Sequence, residues 1–407
     1  MKKLSTKKVS LAIAGFLTPF ALVVPSVSAA TATWTGNVQN TGEFSQAYNW
    51  GGVVVVDGDT VVFPATAVVQ LADNDATDIV LEKILFNGAS TVPTSSKSFT
   101  VSGNGITLNS GIEAIMTGLG GDHQVLTDIT LAADQTFKTT GSNSLTVGDA
   151  NEVSQTTLDL DTYDLTLDAS GGSISLVGEL IGSGDIIKKG DGGVTFNFAK
   201  SESTGYAGSI NVEEGEIKAN GDFDTGNVTL SGGTLKGTGT IGYLTMNAGK
   251  VAPGLSPGVI NTGNLVYTGG EQEVELGGTA DGEYDQVNVV GTVDLGSATD
   301  LTISLHNDYE PEVNDAFFII QNDGTDAVSG TFNGLANGDK VTLGSYTYQI
   351  NYDAGDGNDV ALLVTGTPSV PDTGVESVTK SPLAAFIALA ASFGVLGGLR
   401  FADAKRK

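Results

Sequence analysis

The sequence predicts an all-β chain, built as a right-handed parallel β-helix with one helix at each terminus. Three observations point there. Glycine is heavily used, with 56 residues in 407 against a usual share of ~7%. Short apolar-polar-apolar pieces alternate with Gly, Asn and Asp, the pattern of short strands and turns. An internal repeat is visible without gaps.

Residues 1–29 read as a secretory signal peptide ending at Ala29. Lys2, Lys3, Lys7 and Lys8 supply the positive start, Val9 to Val24 is mostly apolar, and Val27-Ser28-Ala29 offers small residues for cleavage. A retained membrane helix is the alternative, but Pro19 and Pro25 interrupt the short run.

Residues 30–110 form the N-terminal cap and first coils. The only two tryptophans, Trp34 and Trp50, fall here. A platform for stacking a glycan is one reading. An aromatic cap over the first coil is preferred, because an open stack needs its end covered. Phe99-Thr-Val101 and Ile106-Thr-Leu108 are early strand pieces.

Residues 111–364 carry the repeat. Ile210-Asn-Val212-Glu-Glu-Gly215-Glu-Ile217-Lys218 aligns on Val228-Thr-Leu230-Ser-Gly-Gly233-Thr-Leu235-Lys236 and again on Leu244-Thr-Met246-Asn-Ala-Gly249-Lys-Val251. The alternating pair is a strand with one buried face. The glycine supplies a turn at positive φ, and the next apolar residue returns inward. A spacing of 16 to 18 residues is too short for a propeller blade and suits one coil of a β-helix. A β-sandwich is the alternative. Leu158-Asp-Leu160 and Leu165-Thr-Leu167 are looser copies.

Charge narrows the partners. The chain has 19 basic and 47 acidic residues, and the part between residues 30 and 374 holds ten lysines, no arginine and a net charge near −35. Nucleic acid is excluded as a partner, since phosphate contacts need a basic face. An anionic membrane would repel this part too. The two histidines, His123 and His306, are far apart and are expected in exposed loops. Without arginine and with so few histidines, a base and an oxyanion donor are hard to assemble, so no catalytic residue and no cofactor are assigned. Cysteine is absent, and with it any disulfide framework.

Residues 365–374 are a linker and a short motif, Val370-Pro371-Asp372-Thr373-Gly374. Residues 375–407 hold a spacer, an apolar run of 17 residues from Leu383 to Leu399, and the basic tail Arg400, Lys405, Arg406 and Lys407. That run is just long enough to span a bilayer, and the tail favours the cytoplasmic side. Near the end of the preceding part, Gly355-Asp356-Gly357-Asn358-Asp359 offers hard oxygen ligands for calcium through Asp356, Asn358 and Asp359. As a single copy it is read as a turn, so no metal is assigned.

Several stretches resemble the passenger domains of autotransporter-type β-helical proteins, with their autotransporter-associated strand repeat. These are Gly182-Ser-Gly184 through Lys188, Gly190, Gly192 and Phe196 with Tyr206-Ala-Gly208; Pro253-Gly254-Leu-Ser256-Pro257-Gly258; Tyr284-Asp285 to Gly291; Gly330-Thr-Phe332; and Gly355 to Val360. Thr33-Trp34, Asn49-Trp50 and Asp59 to Phe63 resemble the start of such proteins. The resemblance implies a right-handed β-helix without implying one activity. The C-terminal segment resembles the cell-wall sorting signal read by sortase transpeptidases, with Val370 where leucine is usual. It implies cleavage between Thr373 and Gly374, transfer of the threonine carbonyl to a cell-wall or pilin amine, and membrane contact through the C-terminal helix before that transfer.

Together these readings imply an extracellular, surface-held and non-catalytic protein of adhesin or display-stalk type, with a host, neighbour-cell or matrix ligand. A structural coat or fibre subunit and a carbohydrate-active β-helix enzyme are the rival readings.

Overall fold

Alternation decides which residues turn inward. In Gln135–Thr140 every second residue is buried, and the same pattern runs through Leu165–Ser170. Polar partners point out, so each strand presents one apolar face that a neighbour must cover. The computed structural model describes residues 30–36, 42–89, 97–149, 155–198, 205–223 and 226–366. The signal segment, the motif at 370–374 and the apolar run after it lie outside the described residues. Within them the chain is all-β, with long parallel sheets and a single four-residue 3-10 turn, Ala47–Trp50.

The chain visits its sheets in rotation. The first sheet holds 12 strands, from Thr31–Thr33 to Val293–Asp294, and consecutive neighbours are one full circuit apart in sequence. A second sheet runs from Leu71–Asn74 to Asp300–Leu305 on the same plan. A third side begins with Ile79–Leu81, Ile106–Leu108, Ile129–Leu131 and Thr157–Asp159, all parallel. It joins the second sheet at Ser173–Ile181, whose first half pairs with Ser144–Val147 and whose last residues pair with Thr157–Asp159. Further along, the third side resumes as a separate sheet from Asp222–Phe223 to Ala316–Asn322.

Register makes columns of the inward residues. One runs Val61, Ile84, Ile112, Phe137, Leu167, Lys188, Val212, Leu230, Met246 and Tyr267. Another runs His123, Leu145, Ile174, Val194, Ile217, Leu235, Val251 and Gln272. Each apolar member is buried, which stabilises the fold by about 1.5–3 kcal/mol per side chain. The aligned sequence repeats lie side by side: Ile210, Val228 and Leu244 share a register, as do Val212, Leu230 and Met246. Their shared glycines, Gly215, Gly233 and Gly249, all have positive φ.

The end of the chain departs from the expected parallel plan. Lys340–Leu343, Tyr346–Ala354 and Asp359–Gly366 pair antiparallel, and Asp359–Gly366 lies against Ala316–Asn322, also antiparallel. The connections explain it. Gly344-Ser345 and Gly355-Asp-Gly-Asn358 are tight turns, whereas a parallel return needs a dozen residues or more. Val360 to Val364 are all buried, because both faces of that strand are covered, and so its sequence does not alternate.

Candidate functional site

The aromatic residues near the N-terminus pack into one buried cluster. Trp34 and Trp50 are each 1% exposed, with ring centroids 4.9 Å apart in an edge-on arrangement. Both lie 5.8 Å from Phe63. Trp34 Nε1 donates to Val69 O at 2.8 Å and Trp50 Nε1 to Phe44 O at 3.1 Å. With faces packed and donors engaged, neither indole can stack on a glycan.

At Gly355–Asp359 one carboxylate oxygen and one amide donor are engaged in the turn, and among the described residues Asn358 Oδ1 is buried without a partner. Asp359 is buried and its Oδ1 accepts from Asn322 N–H at 2.9 Å. Asn358 is buried and its Nδ2 donates to Asp323 O at 3.0 Å. Asp356 is exposed. Among the described residues no group of acidic or histidine side chains has metal-site spacing. Burial pushes the Asp359 carboxyl up to about 6.

His123 corrects an expectation. It lies in the strand Asp122–Val125 and is fully buried, not in an exposed loop. Its ring stacks on Phe86 at 4.4 Å, and Nε2 lies 3.4 Å from Asn143 Oδ1. Burial pushes its pKa down to about 4, with Asn143 opposing. His306 is half-buried in the turn after Asp300–Leu305, and the two histidines do not meet.

Lys188 occupies an inward position between Leu167 and Val212. It is 0% exposed, and its ammonium donates to the carbonyls of Lys189, Gly190 and Glu214 at 2.9, 2.6 and 3.0 Å. Burial lowers its pKa, partly opposed by Asp168. The lysine ties the turn at Lys189-Gly190 to the turn at Glu214. One signal was readable in advance: Lys188 stands two residues after Ile186, where Val212 follows Ile210.

The Pro253–Gly258 loop borders a groove of about 320 Å³ lined by Lys218, Lys236, Leu255, Glu273, Glu275 and Asp285. Asp285 anchors the loop. Its Oδ1 accepts from Gly258 N–H at 2.9 Å and its Oδ2 from Glu275 N–H at 3.0 Å. Burial nevertheless pushes this carboxyl up to about 7. Ser256 Oγ donates to Glu275 Oε2 at 2.5 Å, and Lys218 and Lys236 both pair with Glu216. These groups are engaged with one another, so the groove reads as a braced corner of the stack.

The remaining candidate is the outer surface itself. Lys83–Glu113, Lys138–Asp168 and Lys189–Glu213 pair across neighbouring strands of the first sheet at 2.7, 2.6 and 3.9 Å. Lys250 pairs with Glu271 and Glu273 on the second sheet. With Lys236 on Glu216, five of the scarce lysines thus pair with a carboxylate on or next to an adjacent strand. The motif Val370 to Gly374 and the cleavage position Ala29 lie outside the described residues, which begin at Ala30 and end at Gly366. No family model matches the chain, and no curated protein matches it.

Proposed function

We propose that this chain is a right-handed β-helix displayed on a bacterial surface, exported through residues 1–29 and held at its C-terminus through Val370-Pro371-Asp372-Thr373-Gly374. The observation that carries this reading is the unbroken register of the inward columns. Consecutive coils in register stack their outward residues too, giving long polar faces of Thr, Ser, Asp and Lys. Parallel crossovers of this kind are right-handed in about 98% of cases. Faces of that sort suit a host, neighbour-cell or matrix ligand, and the strong negative charge favours solubility and repels anionic membranes and nucleic acid.

In this reading the protein has no catalytic turnover of its own. Its lysines and several of its carboxylates serve to join coils. A sortase and a wall or pilin amine act on it; they are not its ligands. Mass spectrometry of the mature C-terminus from native cells tests the anchoring. A chain ending at Thr373 in amide linkage is expected, and an intact Lys407 overturns covalent sorting. Brief proteolysis of intact cells tests the display. Peptides from 30–366 are expected in the supernatant, and their absence while the protein remains in the cells overturns surface exposure.

A further inference from the structure

Ala30 is fastened at both of its backbone polar groups. Its N–H donates to Asp59 Oδ1 at 3.1 Å, and its carbonyl accepts from Thr60 N–H at 2.9 Å. Thr31 then enters the first sheet in register with Thr60. Asp59 is only 2% exposed, and its Oδ2 accepts from Val56 N–H at 3.0 Å. A buried carboxylate is costly without a cation, and among the described residues Asp59 has no ion-pair partner.

The other charged groups on the adjoining turns are engaged elsewhere. Asp57 accepts from Val80 N–H at 3.0 Å. Glu82 accepts from the Ser110 hydroxyl. Lys83 pairs with Glu113 at 2.7 Å. Among the described residues, the one group that can bring a positive charge to Asp59 is the Ala30 nitrogen itself.

We propose that hydrolysis of the Ala29–Ala30 bond during export turns this nitrogen into an α-ammonium that forms an ion pair with Asp59, so that processing itself fastens the first strand. The proposal rests on the cleavage position read at Ala29. Water adds across the amide, leaving a carboxylate on Ala29 and an ammonium on Ala30 with no net proton uptake. The existing bond from an amide N–H to the carboxylate becomes an ion pair between an ammonium and that carboxylate. Ala30 is exposed, so the other ammonium protons remain with water. The uncleaved chain has the same geometry without the charge.

The test uses the protein from native cells, a recombinant chain beginning at Ala30, the same chain with Gly-Ser placed before Ala30, and Asp59→Asn. The α-amine is titrated by the pH dependence of its reductive methylation. In the chain beginning at Ala30 it is expected to titrate at least one pH unit above an ordinary α-amine, which lies near pH 8, and to return there in Asp59→Asn. The Gly-Ser chain is expected to lose protection of residues 30–64 from hydrogen exchange several-fold, which needs no change at Asp59. An ordinary titration in the Ala30 chain, or equal protection with and without Gly-Ser, overturns the pairing. A raised titration in that chain together with a native terminus other than Ala30 overturns the processing step and the cleavage reading, while the pairing stands.

Discussion

Lys188 donates its ammonium to the carbonyl of Gly190 at 2.6 Å from inside a column of apolar side chains. Two further carbonyls, of Lys189 and Glu214, complete its shell. Lys188→Met keeps the stem and removes the donors, leaving three backbone acceptors short of a partner. At roughly 1 kcal/mol or more for each, the variant should lose about 3 kcal/mol, read as a lower midpoint in urea with an unchanged slope.

Gly215 sits beneath that ammonium at φ +70°. A Cβ there would meet the carbonyl oxygens of Gly190 and Gly192 and lie 2.6 Å from Lys188 Nζ. Gly141 has a similar φ of +61° with nothing within 4 Å of a built Cβ. Gly141→Ala should therefore cost only the left-handed backbone penalty of about 1–2 kcal/mol. Gly215→Ala should cost at least twice that, by the same unfolding measurement.

The buried His123 sets a pH dependence. Its pKa falls from 6.5 to about 4 on folding, so the unfolded chain binds more protons between those values. Stability from this group is full above about pH 6.5 and is lost as pH falls toward 4. The loss should reach about 2 kcal/mol at pH 5. Asp285 and Asp359, raised to about 7 and about 6, act in the opposite sense. Comparing His123→Leu with the parent at each pH cancels them, and the stability gap should shift toward the variant between pH 7 and pH 5.

Trp34 lies at the centre of the N-terminal aromatic cluster. Trp34→Ala should cost about 3–5 kcal/mol, as for other buried tryptophans. Because each strand pairs with its immediate neighbours in long sheets, the damage should stay local. Limited proteolysis should open residues 30–64 first while the Ile210 to Val251 coils remain protected.

The turn at Gly355–Asp359 should not depend on calcium, because Asp359 Oδ1 already accepts a backbone N–H, Asp356 is exposed, and no group of acidic side chains among the described residues has metal-site spacing. Adding millimolar calcium or a chelator should leave Tm unchanged within error, and Asp356→Ala should do the same.

The sequence exposed the fold best between residues 210 and 251, where short constant turns preserve the spacing. Earlier coils have first-sheet strands starting at Lys83, Gly111, Gln135, Leu165 and Ile186. Their connections differ in length, so an ungapped alignment passes over them. Lys188 and His123 were hidden for another reason. A charged or titratable residue in an alternating strand reads as outward, and register against Val212 and Leu145 shows otherwise; for Lys188 the spacing after Ile186 was the one hint. The antiparallel close was visible in principle in its turn lengths. Asp285 and Asp59 could not be identified alone, since each matters through backbone donors from segments remote in sequence.

The antiparallel close also sets how the molecule would bear load. Asp359–Gly366 lies between Ala316–Asn322 and Tyr346–Ala354, bonded on both edges. A pull at Gly366, as from a fixed wall in flowing liquid, runs along that strand and loads its flanking ladders in shear. They must fail together rather than unzip one bond at a time, so a tether at this end would hold against drag far longer than one tied to an edge strand such as Lys340–Leu343.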